Sequence, residues 1–230
     1  MAQPFVSIII PVYNGEKYLS DAIQSILAQT YKNYEIWVID NASIDRSAEI
    51  ANSFSVVHYL YEAKADINIA RNKGISCARG DYIAFLDQDD IWEPNKLALQ
   101  VHCLNEFKDY VGVIGLTRFF LESGCVKPHW LKQSFLEKPQ NAYFPSVILI
   151  RKTVFDVVGL FDTQFRLAAD VDWFFKIKQE GMVIAELPEV LLNRRIHGEN
   201  ASGNVGATQH ELLLIAKKSL KNRRKVNGYE

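Results

Sequence analysis

The sequence predicts an α/β protein with a mostly parallel central sheet covered by helices on both faces. Three observations lead there: β-branched runs that read as buried strands, apolar positions at helical spacing between them, and short turn-rich connections. Phe5-Val-Ser-Ile-Ile-Ile10 opens the pattern as a buried strand and is ended by Pro-Val-Tyr-Asn-Gly. Leu19, Ala22, Ile23, Ile26 and Leu27 then recur as on one face of a helix, and Tyr34-Glu-Ile-Trp-Val-Ile39 returns as a second strand. A helix is expected over residues 43–54, with Ser43 or Asp45 near its start, a third strand over 56–61 and a helix over 68–77. Gly80-Asp81 turns the chain into Tyr82-Ile-Ala-Phe-Leu86, a strand that runs straight into Asp87-Gln-Asp-Asp90.

The second half is less regular. Residues 111–120 and 147–150 are strand-like, 124–141 reads as a loop punctuated by aromatic residues and proline, and 152–158 and 172–179 read as helices. A last helix begins near Thr208 and carries Lys217, Lys218, Lys221, Arg223, Arg224 and Lys225, a solvated face or a local basic surface.

The chain has 230 residues, 48% hydrophobic and 12% aromatic, enough for a substantial core. A formal charge of −1 gives no overall attraction to nucleic acid or to anionic lipid, so nucleic acid is not expected as a partner. Cys77, Cys103 and Cys125 are odd in number and too far apart for a metal knuckle, which suits a reducing, cytoplasmic setting. No positive leader precedes the first apolar run, and no stretch reaches the roughly 20 apolar residues that span a bilayer. A soluble protein, with peripheral membrane contact through the basic terminal helix as an option, is the expectation.

In a parallel sheet with helices on both faces, ligands sit at the carboxyl ends of the strands. The loops after Ile10, Ile39 and Leu86 should therefore converge, bringing Tyr13, Asp40 and the acidic cluster to one crevice. Asp87, Asp89 and Asp90 are hard oxygen donors whose mutual repulsion a divalent cation would relieve; a helix cap before Trp92-Glu-Pro94 is the rival reading. Asp40-Asn41 can meet a nucleobase edge or simply form a turn. Arg71 can grip a diphosphate through its fork or serve as a surface ion pair. Of Asp170 and Asp172, one can cap the helix that follows, leaving the other as a general base toward a sugar hydroxyl. His197, in Arg194-Arg-Ile-His-Gly198, is a possible metal ligand or phosphate contact, though a lone loop histidine is usually neither.

These segments, taken in order, resemble the inverting family-2 glycosyltransferases of the GT-A fold. The resemblance is carried by Val6-Ser-Ile-Ile-Ile-Pro-Val-Tyr-Asn14, Ser25-Ile-Leu-Ala-Gln-Thr-Tyr31, Val38-Ile-Asp-Asn-Ala-Ser43, Ala70-Arg-Asn-Lys-Gly74 and Phe85-Leu-Asp-Gln-Asp-Asp-Ile-Trp92. Val158-Gly-Leu-Phe-Asp162, Ala168-Ala-Asp-Val-Asp-Trp173 and Arg195-Ile-His-Gly198 continue it more loosely. It implies one GT-A domain over 1–230, with a Rossmann-like nucleotide-sugar half at 1–115 and an acceptor half with the basic helix at 116–230. It further implies that Pro11, Tyr13, Asp40, Arg71 and Asp87 hold the nucleotide, with Asp40 facing the base, and that Asp87 and Asp89 are an Asp-x-Asp pair for Mn²⁺ or Mg²⁺, Asp89 the firmer ligand. Asp170 falls at the catalytic base. The donor would be a nucleoside-diphosphate sugar, UDP first, and the acceptor a sugar or a lipid-linked hydroxyl in cell-surface polysaccharide or glycolipid synthesis. Two departures stand out: Asp40-Asn-Ala-Ser43 where the family often has two acidic residues and Gly-Ser, and Ala169 where it often has Glu.

Two other classes compete. A dinucleotide-dependent oxidoreductase needs a glycine-rich turn after the first strand, and Pro11-Val-Tyr-Asn-Gly15 lacks it. A non-catalytic protein that binds sugar nucleotides or carbohydrate would keep the fold but not a base facing the metal cluster.

Overall fold

The computed structural model describes residues 3–198, 200 and 205–226, of which 205 and 220–226 are described by backbone alone. One mixed sheet in the strand order β3-β2-β1-β4-β8-β6-β9-β5 organises the molecule. At its centre lies β1 (Val6–Val12), all of whose residues are buried, between β2 (Tyr34–Asn41) and β4 (Tyr82–Phe85), with β3 (Val57–Glu62) outside β2. These strands are parallel, as the alternation of apolar strands with helices predicts. The helices between them are α1 (Leu19–Leu27), α2 (Ser47–Ser53) and α3 (Ile67–Cys77). The second of these is shorter than expected because Asp45 turns the chain first, its Oδ1 accepting from the Ser47 amide and hydroxyl.

Beyond β4 the sheet changes direction. The strands β8 (Leu149–Arg151) and β6 (Tyr110–Leu121) join antiparallel, and β9 (Val183–Ile196) pairs with β6 in parallel. Short β5 (Ile91–Trp92) closes the far edge against β9, and α4 (Lys96–Glu106) follows it. The expected boundary between 115 and 116 falls inside β6, so both halves share one sheet. Pro188 hides β9 from a pattern reading, because proline argues against an interior strand. The ladder accommodates it in an irregularity: Ile114 pairs with Glu186 but Leu116 with Val190, which leaves Leu187, Pro188 and Glu189 out of register.

The region expected as a loop over 124–141 contains a single helical turn, α5 (Gln133–Glu137), and β7 (Gln140–Asn141) against β6. It carries its own small core, in which Trp130, Phe135, Leu136 and Phe144 pack on Phe119, Leu131 and Ile196. A 3-10 turn at Pro145–Val147 leads into β8, followed by α6 (Val154–Val158) and α7 (Ala169–Gln179). The terminal helix α8 (Val205–Val226) starts slightly earlier than expected, and the side chains of Lys221, Arg223, Arg224 and Lys225 lie outside the described residues.

Candidate active site

A crevice opens where β1 and β4 stop pairing. The Ile9 carbonyl accepts from the Leu86 amide, so residues of that parity on β1 face β4. Pro11, two residues on, has no amide to continue the ladder, and the register with β4 ends at Ile9. Meanwhile Pro11 and Val12 stay paired with Ile39 and Asp40 of β2. The loop after β1 is clamped to the acidic loop by Gln88, whose Oε1 accepts from the Tyr13 amide at 2.7 Å while its Nε2 donates to the Tyr13 carbonyl at 3.0 Å. That leaves the Tyr13 ring 52% exposed at the mouth. Gly15 leaves room for this clamp, since a Cβ there would lie 2.8 Å from Gln88 Oε1 and press that side chain aside.

Asp40 ends β2 and is 2% exposed. Its Oδ1 accepts from the Ser43 amide at 2.8 Å and its Oδ2 from the Tyr59 hydroxyl at 2.7 Å, so the turn-forming role is realised. Burial and this contact push the Tyr59 hydroxyl well above its ordinary pKa. Ala42 completes the turn at φ 64°, left-handed backbone that side-chain-bearing residues seldom adopt. Asn41 accepts from the Asp66 amide, and Asp66 in turn caps α3 through the Asn68 and Ile69 amides.

The cap and Gly74 together aim α3. A Cβ on Gly74 would stand 2.4 Å from Ile9 Cγ2, so only glycine lets the helix press this closely on β1. One turn earlier, Arg71 reaches the strand ends, 6% exposed, and donates through Nη2 to Asp87 Oδ1 at 2.8 Å. Its Nε–H is buried and has no hydrogen-bond partner among the described residues, a cost that a ligand oxygen would relieve. Burial raises the Asp87 pKa, but the charges of Arg71 and Arg194 outweigh it and hold the carboxyl below its ordinary range. The Asp87 amide donates to Ser146 Oγ, which ties the loop to the turn before β8.

Asp89 has partners other than Arg71. Its Oδ2 lies 2.9 Å from His197 Nε2 and accepts from Asn200 Nδ2 at 3.0 Å. Arg195 braces the loop behind it: Nε donates to the Asp89 carbonyl, Nη1 to Glu122 and Nη2 to Asp21, while its amide donates to Asp90 Oδ1. The guanidinium is held between the Tyr18 and Phe120 rings, 4.7 and 5.2 Å from their centroids. Asp90 is buried, and burial followed by the Asp89 charge pushes its pKa well up. The rival helix-cap role is not what this loop does, because Asn95 precedes α4 and contributes no side-chain cap.

A divalent cation fits the Asp89–His197 pair. A carboxylate oxygen and an imidazole nitrogen 2.9 Å apart are within reach of one ion. No group of three or more His, Cys, Asp or Glu converges among the described residues. The remaining coordination positions would therefore fall to phosphate and water, the usual manner of Mg²⁺ beside a nucleotide. Asp87 is engaged with Arg71 instead of joining this pair.

Asp170 and Asp172, both in the first turn of α7, face different surroundings. Asp172 is buried, with Lys176 Nζ 2.7 Å and Lys218 Nζ 3.8 Å away. Asp170 has no lysine partner among the described residues, and its Oδ1 accepts from the adjacent Val171 amide at 2.8 Å. Burial raises its pKa and the Asp87 charge adds to this, against the pull of Arg71, the Val171 amide and Arg194. Neither aspartate caps α7: the residue before the helix is Ala168, without a side-chain cap. Glu211 of α8 takes that duty for the preceding turn, accepting from the amides of Arg166, Leu167 and Ala168.

The structure thus joins Arg71 with Asp87, Asp89 with His197, and sets Asp170 among charges shared with both Arg71 and Asp87. Sequence reasoning missed Gln88, Ser146, Asn200 and Arg195. Gln88 and Arg195 stand inside quoted motifs and were legible as members of them. Ser146 and Asn200 have no local signal, since each acts across a long sequence separation.

An open sheet of this order, with a crevice at its parallel strand ends and an Asp-x-Asp loop after β4, defines a GT-A domain. The profile of Glycosyl transferase family 2 matches residues 7–155. An uncharacterised glycosyltransferase of Rickettsia prowazekii (strain Madrid E) is 37% identical over 208 residues, covering 84% of this chain and 64% of that protein. The glycosyltransferase GlyA of Streptococcus pneumoniae serotype 4 is 34% identical over 137 residues, 58% of this chain and 20% of that one. Among solved structures, the mannosyltransferase PcManGT from Pyrobaculum calidifontis, in complex with GDP-Man and Mn²⁺, superposes with a TM-score of 0.74 at 18% identity over 96% of this chain and 65% of that one. Residues 1-349 of S. aureus TarS, in complex with UDP-GlcNAc, give 0.70 at 17% identity over 86% and 60%. These two likenesses show the fold. The chain belongs to glycosyl transferase family 2. It spans less than two thirds of the length of the Rickettsia prowazekii relative.

Proposed function

We propose that this chain transfers a sugar from a nucleoside-diphosphate sugar, UDP-linked in the first instance, to an acceptor hydroxyl with inversion at the anomeric carbon. The observation that carries it is the buried Arg71, whose Nη2 is paired with Asp87 while its Nε–H has no partner among the described residues. A fork of this kind suits a diphosphate. The Tyr13 ring and the Asp40 turn would receive the base end, with Pro11 opening the crevice. Asp89 and His197 would hold Mn²⁺ or Mg²⁺, with Asp87 close by; the cation supplies Lewis-acid neutralisation of the departing diphosphate. The Mn²⁺ and GDP-Man in PcManGT, and the UDP-GlcNAc in TarS, support a divalent metal and a sugar nucleotide here.

Asp170 is the proposed base. The acceptor oxygen forms its bond to the anomeric carbon as the bond to the diphosphate oxygen breaks on the opposite side, and the acceptor proton passes to the Asp170 carboxylate. Its surroundings support this over Asp172, which is already paired with lysines.

We propose a cytoplasmic location, in keeping with the free Cys77, Cys103 and Cys125, and a lipid-linked or saccharide acceptor of cell-surface synthesis. The protein described as the putative teichuronic acid biosynthesis glycosyltransferase TuaG of Bacillus subtilis (strain 168) is 35% identical over 109 residues, 45% of this chain and 43% of that one, and supports that setting. No helix among the described residues is long and apolar enough to cross a membrane. Exposed Leu213 and Leu214 beside Lys217 on α8 suit peripheral contact. The test is a panel of UDP-, GDP- and dTDP-sugars with Mn²⁺, read as thermal stabilisation and as donor hydrolysis. Absence of both with every donor would overturn the proposal.

A further inference from the structure

Arg194 is a cation without an assigned task. Successive side chains of a strand point to opposite faces. Arg195 turns to Asp21, Glu122 and the Asp89 carbonyl, whereas Arg194 faces the side where Phe144 lies. Its guanidinium carbon sits 4.0 Å from the Phe144 ring centroid, close enough for the ring to hold the cation in place. Among the described residues no carboxylate lies within ion-pairing distance and no acceptor takes its guanidinium hydrogens. Its charge nevertheless reaches Asp87 and Asp170, lowering the pKa of each against the effect of burial.

Position indicates which ligand it would meet. The diphosphate side of the crevice already has Arg71, on the helix packed against β1. Arg194 pairs with Phe119 in the β6–β9 ladder, beyond β8 and β6 from the nucleotide strands. Phe144 follows Tyr143, whose ring packs edge-on against Phe174 of α7, the helix that carries the proposed base, and the Arg194 charge is felt at Asp170. An arginine fork held over a ring, with no partner for its hydrogens among the described residues, is suited to a carboxylate or phosphate, either of which takes two parallel hydrogen bonds.

We propose that Arg194, stacked on Phe144, binds an anionic group of the acceptor, so that the acceptor class is an acidic saccharide or a phosphate-bearing polyol or sugar. This rests on the sugar-transfer reading above. The fork would hold the anion while a neighbouring hydroxyl is presented to Asp170. A neutral acceptor would leave the fork unpaired and bind less tightly.

The test titrates the UDP- and Mn²⁺-loaded protein with glucuronate, glucose 6-phosphate and glucose by calorimetry, in wild type, Arg194→Ala and Arg194→Lys. The expected result is a preference for the two anions over glucose of about 10- to 100-fold, the scale of hydrogen bonds to a charged group. Arg194→Ala should bring that preference within about twofold, and Arg194→Lys should keep part of it, because charge remains but the fork is lost. Wild-type protein that prefers no anion, or Arg194→Ala that keeps the full preference, would overturn the inference. So would a loss of UDP affinity in Arg194→Ala as large as the loss of anion affinity, which would assign the arginine to the donor diphosphate. Wild-type protein that binds no UDP in the presence of Mn²⁺ would instead count against the transfer reading itself.

Discussion

Replacing Asp170 with asparagine removes a charge and leaves the shape. The Val171 amide keeps its acceptor, because the asparagine carbonyl can occupy the place of Oδ1. No helix cap is lost, since none is made by this side chain. The folded protein holds the Asp170 pKa above its unfolded value, so the ionised group opposes folding at pH values above the unfolded pKa. The neutral amide should therefore leave the melting temperature unchanged or slightly raised at pH 7, with UDP affinity intact. Transfer should nonetheless fall about 10²- to 10⁴-fold, the usual contribution of a positioned base. The same raised pKa predicts that kcat/KM in the wild type declines on acidification at a pH above the ordinary aspartate range, and that this limb disappears in the variant. Asp172→Asn is the control. Losing its ion pairs with half-exposed lysines should cost about 1 kcal/mol or less of stability, with turnover per folded molecule retained. Full turnover in Asp170→Asn, measured with donor and acceptor saturating, would refute the reasoning, and loss in Asp172→Asn alone would move the base to that residue.

Arg71→Ala should weaken UDP binding by about 1–3 kcal/mol in calorimetry, the scale of a hydrogen bond to a charged group, and unchanged affinity would make the residue structural. Asp89→Ala should abolish the part of UDP affinity that depends on Mn²⁺ while keeping the metal-independent part; an unaltered metal dependence would remove Asp89 from the cation site. Ala42→Gly should stabilise the fold by about 0.5–1 kcal/mol in urea denaturation. The relief of left-handed backbone at φ 64°, about 1–2 kcal/mol, exceeds the extra freedom of an unfolded glycine, about 0.4–1 kcal/mol.

The chain up to Asp90 was legible because its signals are local. A buried parallel strand shows as an apolar run, and β1, β2 and β4 each show one before a loop that reaches the crevice. The second half hides its main element. Pro188 interrupts β9, and the three residues out of register around it break the alternation that marks a strand. Short β5 and the helix α4 after it gave no comparable pattern, and Lys96 within that helix is fully buried over Trp92 where a lysine normally signals solvent. At the site, residue types were readable but partners were not. Asp40 and Asp87 stand in motifs, yet only the fold shows that Tyr59 and Ser43 occupy the first and Arg71 the second.

Arg195 explains why the acidic loop cannot be understood from its own half of the chain. Asp87, Asp89 and Asp90 lie within four residues, and such a cluster stays ordered only if donors reach it from outside. Arg71 supplies one from α3, but the carbonyl of Asp89 and the carboxylate of Asp90 take theirs from Arg195, more than a hundred residues away. The same guanidinium binds Asp21 after β1 and Glu122 after β6, so one side chain links α1, the acidic loop and the β6–β9 ladder. Its next neighbour but one, His197, is then delivered to Asp89 by the strand itself. The geometry of the acidic loop in the first half thus depends on the last strand of the second.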